Sequence, residues 1–129
     1  MAAALLAGLA IATQPDVGDL VAPSADCGQE GFRADGRPDE VRRCILAAYE
    51  QHTRAHSAHV RETIEGDPIT YRIRVSGRDD YELTIDASKD RFGSGKVTQY
   101  RCTGMRSGGG DVSVLRLFNC GAGVAHLDL

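Results

Sequence analysis

Tryptophan is absent from this chain of 129 residues, and four tyrosines and three phenylalanines are its only large aromatic rings. Any core is therefore mainly aliphatic, drawn from the 42% of residues that are hydrophobic, an ordinary share for a globular protein. No basic run exceeds the Arg42-Arg43 pair and the formal net charge is −3, with acids and bases interspersed. The electrostatic footprint of a nucleic-acid binder is missing. No apolar stretch reaches the roughly 20 residues that a membrane-spanning helix needs. No cysteines have the Cys-x-x-Cys spacing of a structural zinc site. The length fits one domain, and a domain of this size gains from covalent staples.

What is present begins at the N-terminus. Residues 1–12 form an uncharged apolar segment ending in Ala10-Ile11-Ala12. This matches the apolar core and small-x-small cleavage site of a secretory signal, although the positively charged stretch that normally precedes such a core is missing. Residues 13–34, rich in Pro, Gly, Asp and Ala without periodicity, read as a tether, and residues 35–129 as a single folded domain. Four cysteines behind a signal-like segment point to two disulfides formed in an oxidising compartment. Of three possible pairings, loop length favours Cys27–Cys44 and Cys102–Cys120, each closing fewer than twenty residues. In the chain-entropy model each such loop contributes about 3 kcal/mol. Lipid attachment at Cys27 is disfavoured, because Asp26 stands where processing wants a small neutral residue.

Hydrophobic spacing predicts a helix over residues 38–52. Pro38 suits its first position, Asp39 and Glu40 complement its dipole, and Val41, Ile45, Ala48 and His52 share a face beside Cys44. The period then changes to two. Ile69, Tyr71, Ile73 and Val75 alternate with Thr70, Arg72 and Arg74, while Tyr81, Leu83 and Ile85 alternate with Glu82, Thr84 and Asp86. With Ser76-Gly77-Arg78-Asp79 as a turn, this is a hairpin that sets Arg74 across from Asp80 or Glu82. A weaker strand before it would place Val60 and Ile64 inward. Residues 97–103 and 112–119 read as two more strands joined by the glycine-rich loop 107–111. A tight hairpin there would not put Cys102 across from Cys120, so that bond calls for a bulge, a longer loop or a bend. The fold class expected is α+β: one N-terminal helix packed on a mostly antiparallel sheet of four to five strands, with two disulfides.

Four groups of residues invite chemistry. His52, His56 and His59 could supply metal ligands, with His52 and His56 one helical turn apart. No acidic partner follows the His-Glu-x-x-His pattern, and the plainer reading is three solvated histidines in a polar connector. The loop from Asp86 to Asp90 begins like a calcium loop, but Arg91 stands where the turn needs glycine and Val97 where the bidentate glutamate belongs, and the plainer reading is a strand end whose aspartates cap local backbone N–H groups. Ser94 sits directly between two glycines, unlike the serine of a nucleophile elbow. In Glu65-Gly66-Asp67-Pro68 the proline and glycine make a rigid turn that could present Asp67. Asp67, Asp86 and Asp90 are thus the candidate binding residues. No catalytic residue, metal site or cofactor is expected.

Taken together, residues 63–69 (Thr-Ile-Glu-Gly-Asp-Pro-Ile), the pattern Asp86-x-x-x-Asp90-Arg91-Phe92-Gly93-Ser94-Gly95, and Cys102 with Cys120 resemble an uncharacterised bacterial family of small secreted or lipid-anchored proteins. Asp26-Cys27-Gly28 and Cys44 extend the likeness. The resemblance implies an envelope or extracellular location and agrees with two disulfides, but it implies no activity. The lipid-attachment cysteine common in such proteins has no counterpart after the apolar segment here. The function expected is that of an exported non-catalytic module, in the cell envelope or outside it, that binds a protein or small-molecule partner or serves a structural role. The alternatives are a secreted inhibitor of an exoenzyme and a metal-dependent extracellular enzyme using His52, His56 and His59.

Overall fold

Proline at the first turn, with Asp39 and Glu40 behind it, starts helix α1 (Pro38–Gln51) in the computed structural model, which describes residues 23–108, 114–121 and 126–129. Val41, Ile45, Leu46 and Ala48 form the buried stripe of α1. His52 ends the helix in the left-handed conformation, φ 58°, with its N–H and that of Thr53 returned to the carbonyls of Tyr49 and Ala48. The predicted helix is therefore present, with His52 as its cap. The signal-like residues 1–12, the first part of the tether and residues 109–113 lie outside the described residues.

The remaining elements are strands: β1 (Ala25–Gly31), β2 (Arg54–Glu62), β3 (Pro68–Ser76), β4 (Tyr81–Asp86), β5 (Val97–Cys102), β6 (Gly104–Ser107), β7 (Leu115–Phe118) and β8 (His126–Asp128). They make a five-stranded sheet in the order β1-β2-β3-β4-β5 and a three-stranded sheet in the order β6-β7-β8. β1 runs parallel to β2 and every other pairing is antiparallel. The β3–β4 hairpin has the expected register, with Arg74 across from Glu82, and its apolar alternation buries Ile73, Val75, Tyr81 and Leu83. Helix α1 and the small sheet pack on that same face. Ile45 and Leu46 from the helix share one cluster with Met105, Leu115, Leu117 and Leu129. Among the described residues, no helix or strand packs across the opposite face of the five-stranded sheet. The chain is α+β, as the patterning implies, but among the described residues it has eight strands in two sheets.

Several expectations need correction. Residues 25–31, read within the tether, form β1. A bulge between Asp26 and Gln29 breaks the strand's alternation, and Glu30 is its one buried residue, so no period of two can be read. Gly31, at φ 105°, lies so close to the Val60 carbonyl that no side chain fits. Neither Val60 nor Ile64 joins the core cluster: Val60 is buried, but on the same face of β2 as His56, near Phe32 and Arg33, and Ile64 is fully exposed because β2 stops at Glu62 and Ile64 belongs to the turn. Residues 97–103 and 112–119 do not form one hairpin. The chain leaves the large sheet at Thr103 and enters the small one as β6, while β8 carries no sequence pattern long enough to read.

Both expected disulfides are present, Cys27–Cys44 and Cys102–Cys120. The longer-loop option explains the second. The β6–β7 register continues outward through the Thr103 N–H bond to the Asn119 carbonyl, which brings Cys102 to a Cα–Cα distance of 4.0 Å from Cys120. The two bridges differ in access: Cys102 is 0% and Cys120 3% exposed, whereas Cys44 lies on the solvent side of α1. Thiol attack needs access to sulfur. Under limiting reductant, Cys27 and Cys44 are therefore expected to be alkylated before Cys102 and Cys120, as read by peptide mass spectrometry. Simultaneous opening of both would contradict this arrangement.

Candidate functional site

The three histidines of the connector go to three separate surroundings. His52 caps α1 and its Nε2 lies 2.6 Å from Asp79 Oδ1 in solvent. His56 points to the open face of β2, with Nδ1 3.0 Å from Ser24 Oγ and Nε2 3.5 Å from Asp26. His59 points the other way and is completely buried, which corrects the reading of it as solvated. The turn at His52 separates it from His56, so the spacing of one helical turn has no geometric meaning. Among the described residues no three His, Cys, Asp or Glu side chains gather as metal ligands would.

Around His59 lies a polar cluster that the sequence did not advertise. Glu30, Ser57 and His59 are 1%, 4% and 0% exposed. His59 Nδ1 is 2.7 Å from Glu30 Oε2, and its Nε2 is 2.8 Å from Ser57 Oγ. Arg61 reaches both Glu30 oxygens at 3.2 and 3.3 Å, and Arg42 of α1 donates Nε to Oε2 at 3.3 Å. Burial alone would push the Glu30 carboxyl up. The hydrogen bonds from His59 and Arg61, with their charges, overcome it and hold the group at about 2. Glu30 is thus an ionised acceptor, so His59 Nδ1 carries the proton of that bond.

Serine to Nε2 and carboxylate to Nδ1 is the connectivity of a hydrolytic triad. Here it lacks the access that acyl transfer needs, since the Ser57 side chain lies on the covered face of the sheet. The cluster works as an internal clasp joining β1, α1 and β2. Its one trace in the sequence is Ser57-x-His59-x-Arg61, polar residues at a period of two where a strand's inward face would be apolar.

The acidic candidates are bonded within the fold. Asp67, 8% exposed, accepts the Arg91 backbone N–H at 3.0 Å and the Arg91 Nε at 3.2 Å, which together hold its carboxyl below the usual range. This contact joins the β2–β3 turn to the β4–β5 loop, so the two stretches that carry the family resemblance meet in space. Asp86 accepts from the Ser88 hydroxyl and N–H and from Arg72, and these lower its carboxyl as well. Asp90 accepts the Phe92 N–H at 3.2 Å. The tips beside the joined loops expose Ile64 fully and Phe92 by 72%.

The open sheet face carries two adjoining concavities, while a wider, shallower depression of about 440 Å³ lies beside the loop between β1 and α1, bounded by Gly28, Gln29 and residues 33–36. A groove of about 340 Å³ runs from β1 to β4, its walls including Asp26, His56, Arg72, Arg74, Glu82 and Thr84. A second, of about 240 Å³, adjoins it at Arg74 and Glu82 and reaches Arg54 and Arg101. Ser57 and Ile73 touch the first groove only along its floor, because alternate side chains on β2 and β3 point to opposite faces.

Two expectations follow. Folding lowers the Glu30 carboxyl from 4.5 to about 2, so its stabilisation is fully present above pH 4.5 and is lost as pH falls toward 2. Urea unfolding midpoints should drop across that window, and Glu30→Gln should flatten the drop while costing about 3 kcal/mol at neutral pH. Asp67→Asn should leave the core intact but speed amide exchange at Arg91 and its neighbours. Unchanged exchange there would mean that the loops are held by something else. Comparison with protein-family models, curated proteins and solved structures finds no match to this chain.

Proposed function

We propose that this chain is an exported, non-catalytic binding module that meets its partner on the open face of the five-stranded sheet. The carrying observation is an asymmetry. Helix and small sheet cover one face, while the other keeps adjoining polar grooves of about 340 and 240 Å³, within or just below the size range of ligand sites. The triad-like residues are sealed beneath the covered face, which favours binding over catalysis. Export is supported by two disulfides, by the signal-like residues 1–12 and by the likeness to small secreted or lipid-anchored proteins. No helix among the described residues is long and apolar enough to cross a membrane.

One observation favours the inhibitor reading as second choice. The exposed Ile64 and Phe92 sit on loops tied by the Asp67–Arg91 contact, and a pre-ordered loop pair loses little entropy on docking. The metal-enzyme alternative gains nothing from histidines that diverge.

The test is affinity capture from the envelope fraction of the producing cell, with wild type beside a Thr84→Trp variant that fills the groove. Wild type is expected to enrich a partner at least about tenfold over the variant, since a bulky ring in a contact surface removes more than 1.4 kcal/mol. Equal recovery by both would defeat the open-face reading, and recovery lost instead in Ile64→Ser/Phe92→Ser would favour the loop pair.

A further inference from the structure

The open face is not electrically uniform. Across four strands one row of side chains reads His56, Arg74, Glu82 and Arg101. Arg54 stands one position away on the same face, across from Ser76, and is a diagonal neighbour of Arg74. His56 is engaged by Asp26 at 3.5 Å and Arg101 by Asp80 at 3.1 Å. Arg54 and Arg74 make no ion pair or hydrogen bond with any described group, although Glu82 lies directly across from Arg74. Both line the groove of about 240 Å³, where three arginines face one glutamate in a protein of net charge −3. Gly77, at φ 91° and without a side chain, leaves room for the Arg54 stem.

Diagonal neighbours across an antiparallel pair lie about 7–8 Å apart at their backbones, within reach of long side chains. Two guanidinium groups so placed can close on one oxyanion, and each offers the planar donor fork that fits carboxylate or phosphate. Neither must first break an ion pair. We infer that Arg54 and Arg74 form a clamp for an oxyanion, a carboxylate or a phosphate, carried by the ligand of this face. The inference rests on the open-face reading and names the chemistry that the face selects. Glu82 sets a limit on it: a ligand with a single anionic group at this end is favoured over one with dense negative charge, which would meet the glutamate.

The experiment titrates the full oxidised chain at low ionic strength with inorganic phosphate and, separately, with succinate, following backbone and arginine Nε–H signals by NMR. Saturable shifts at Arg54, Arg74 and Ser76 are expected with at least one anion, and the anion that saturates at lower concentration identifies the source. Arg54→Gln/Arg74→Gln should weaken this binding at least about tenfold. Arg54→Lys/Arg74→Lys, which keeps the charge but loses the fork, should recover part of it, and Arg33→Gln, in the loop between β1 and α1 and outside this groove, should leave it unchanged. Absence of saturable shifts with both anions, or shifts that persist in the double glutamine variant, would overturn the clamp. If Thr84→Trp abolishes partner capture while the glutamine variant captures normally, the clamp falls and the open-face reading stands. If Thr84→Trp captures normally, the open-face reading itself falls.

Discussion

A carboxylate buried to 1% exposure has to be surrounded by donors, and in this protein the donors for Glu30 come from two other elements. Arg42 belongs to α1, while His59 and Arg61 belong to β2. Removing an ionised group from water is expensive unless partners in good geometry replace the solvent. Glu30 can therefore sit inside only when α1 and β2 are in place, which makes β1 the strand whose position depends most on its neighbours. Seated there, β1 runs parallel to β2 and brings Cys27 to a Cα–Cα distance of 5.6 Å from Cys44. The covalent staple and the buried ion cluster thus act on the same junction, one limiting the unfolded chain and the other specifying the folded arrangement.

The same junction explains why the triad-like connectivity is structural. A catalytic serine needs its oxygen at a surface and its base free to exchange a proton with substrate. Ser57 and His59 instead satisfy each other, and no buried side-chain polar atom among the described residues is left without a partner. On the open face the accessible charged side chains include arginines and acids. In the groove at Arg74 and Glu82, Arg101 pairs with Asp80, which leaves Arg54 and Arg74 as the described cations there without an ion pair.

Much of the fold was legible because it follows from local chemistry. Pro38 with its acidic neighbours marks the helix start, and alternation in residues 69–75 and 81–85 marks the hairpin, leaving Asp80 or Glu82 as the residue across from Arg74, which is Glu82. Loop length alone selected both cysteine pairs. What stayed hidden depends on distant residues. β1 has a bulge where its alternation should be, and the inward face of β2 carries Ser57 and His59, which look solvated until Glu30 is known to meet them. Asp86 and Asp90 cap the N–H groups of Ser88 and Phe92, as local turn chemistry implies, whereas the Asp67 contact with Arg91 spans 24 positions and could not be read. The open face was legible only in part: the polar alternation was plain, but not that α1 and the small sheet would both choose the other side.

That shared choice comes from Thr103. There the chain leaves β5 and turns into β6, while its N–H bond to Asn119 and the Cys102–Cys120 bridge hold β7 alongside. The small sheet is thereby fixed against the apolar face, where Tyr81 donates its buried hydroxyl to the Gly104 carbonyl at 2.6 Å. At the far end of the large sheet the Asp67–Arg91 contact ties the β2–β3 turn to the β4–β5 loop. Strands β1 to β5 are therefore constrained at the β1 edge, at the β5–β6 turn and at the loop end. A surface held in this way loses little freedom when a ligand settles on it, so even a shallow polar groove with two uncommitted arginines retains a useful share of the interaction energy it makes.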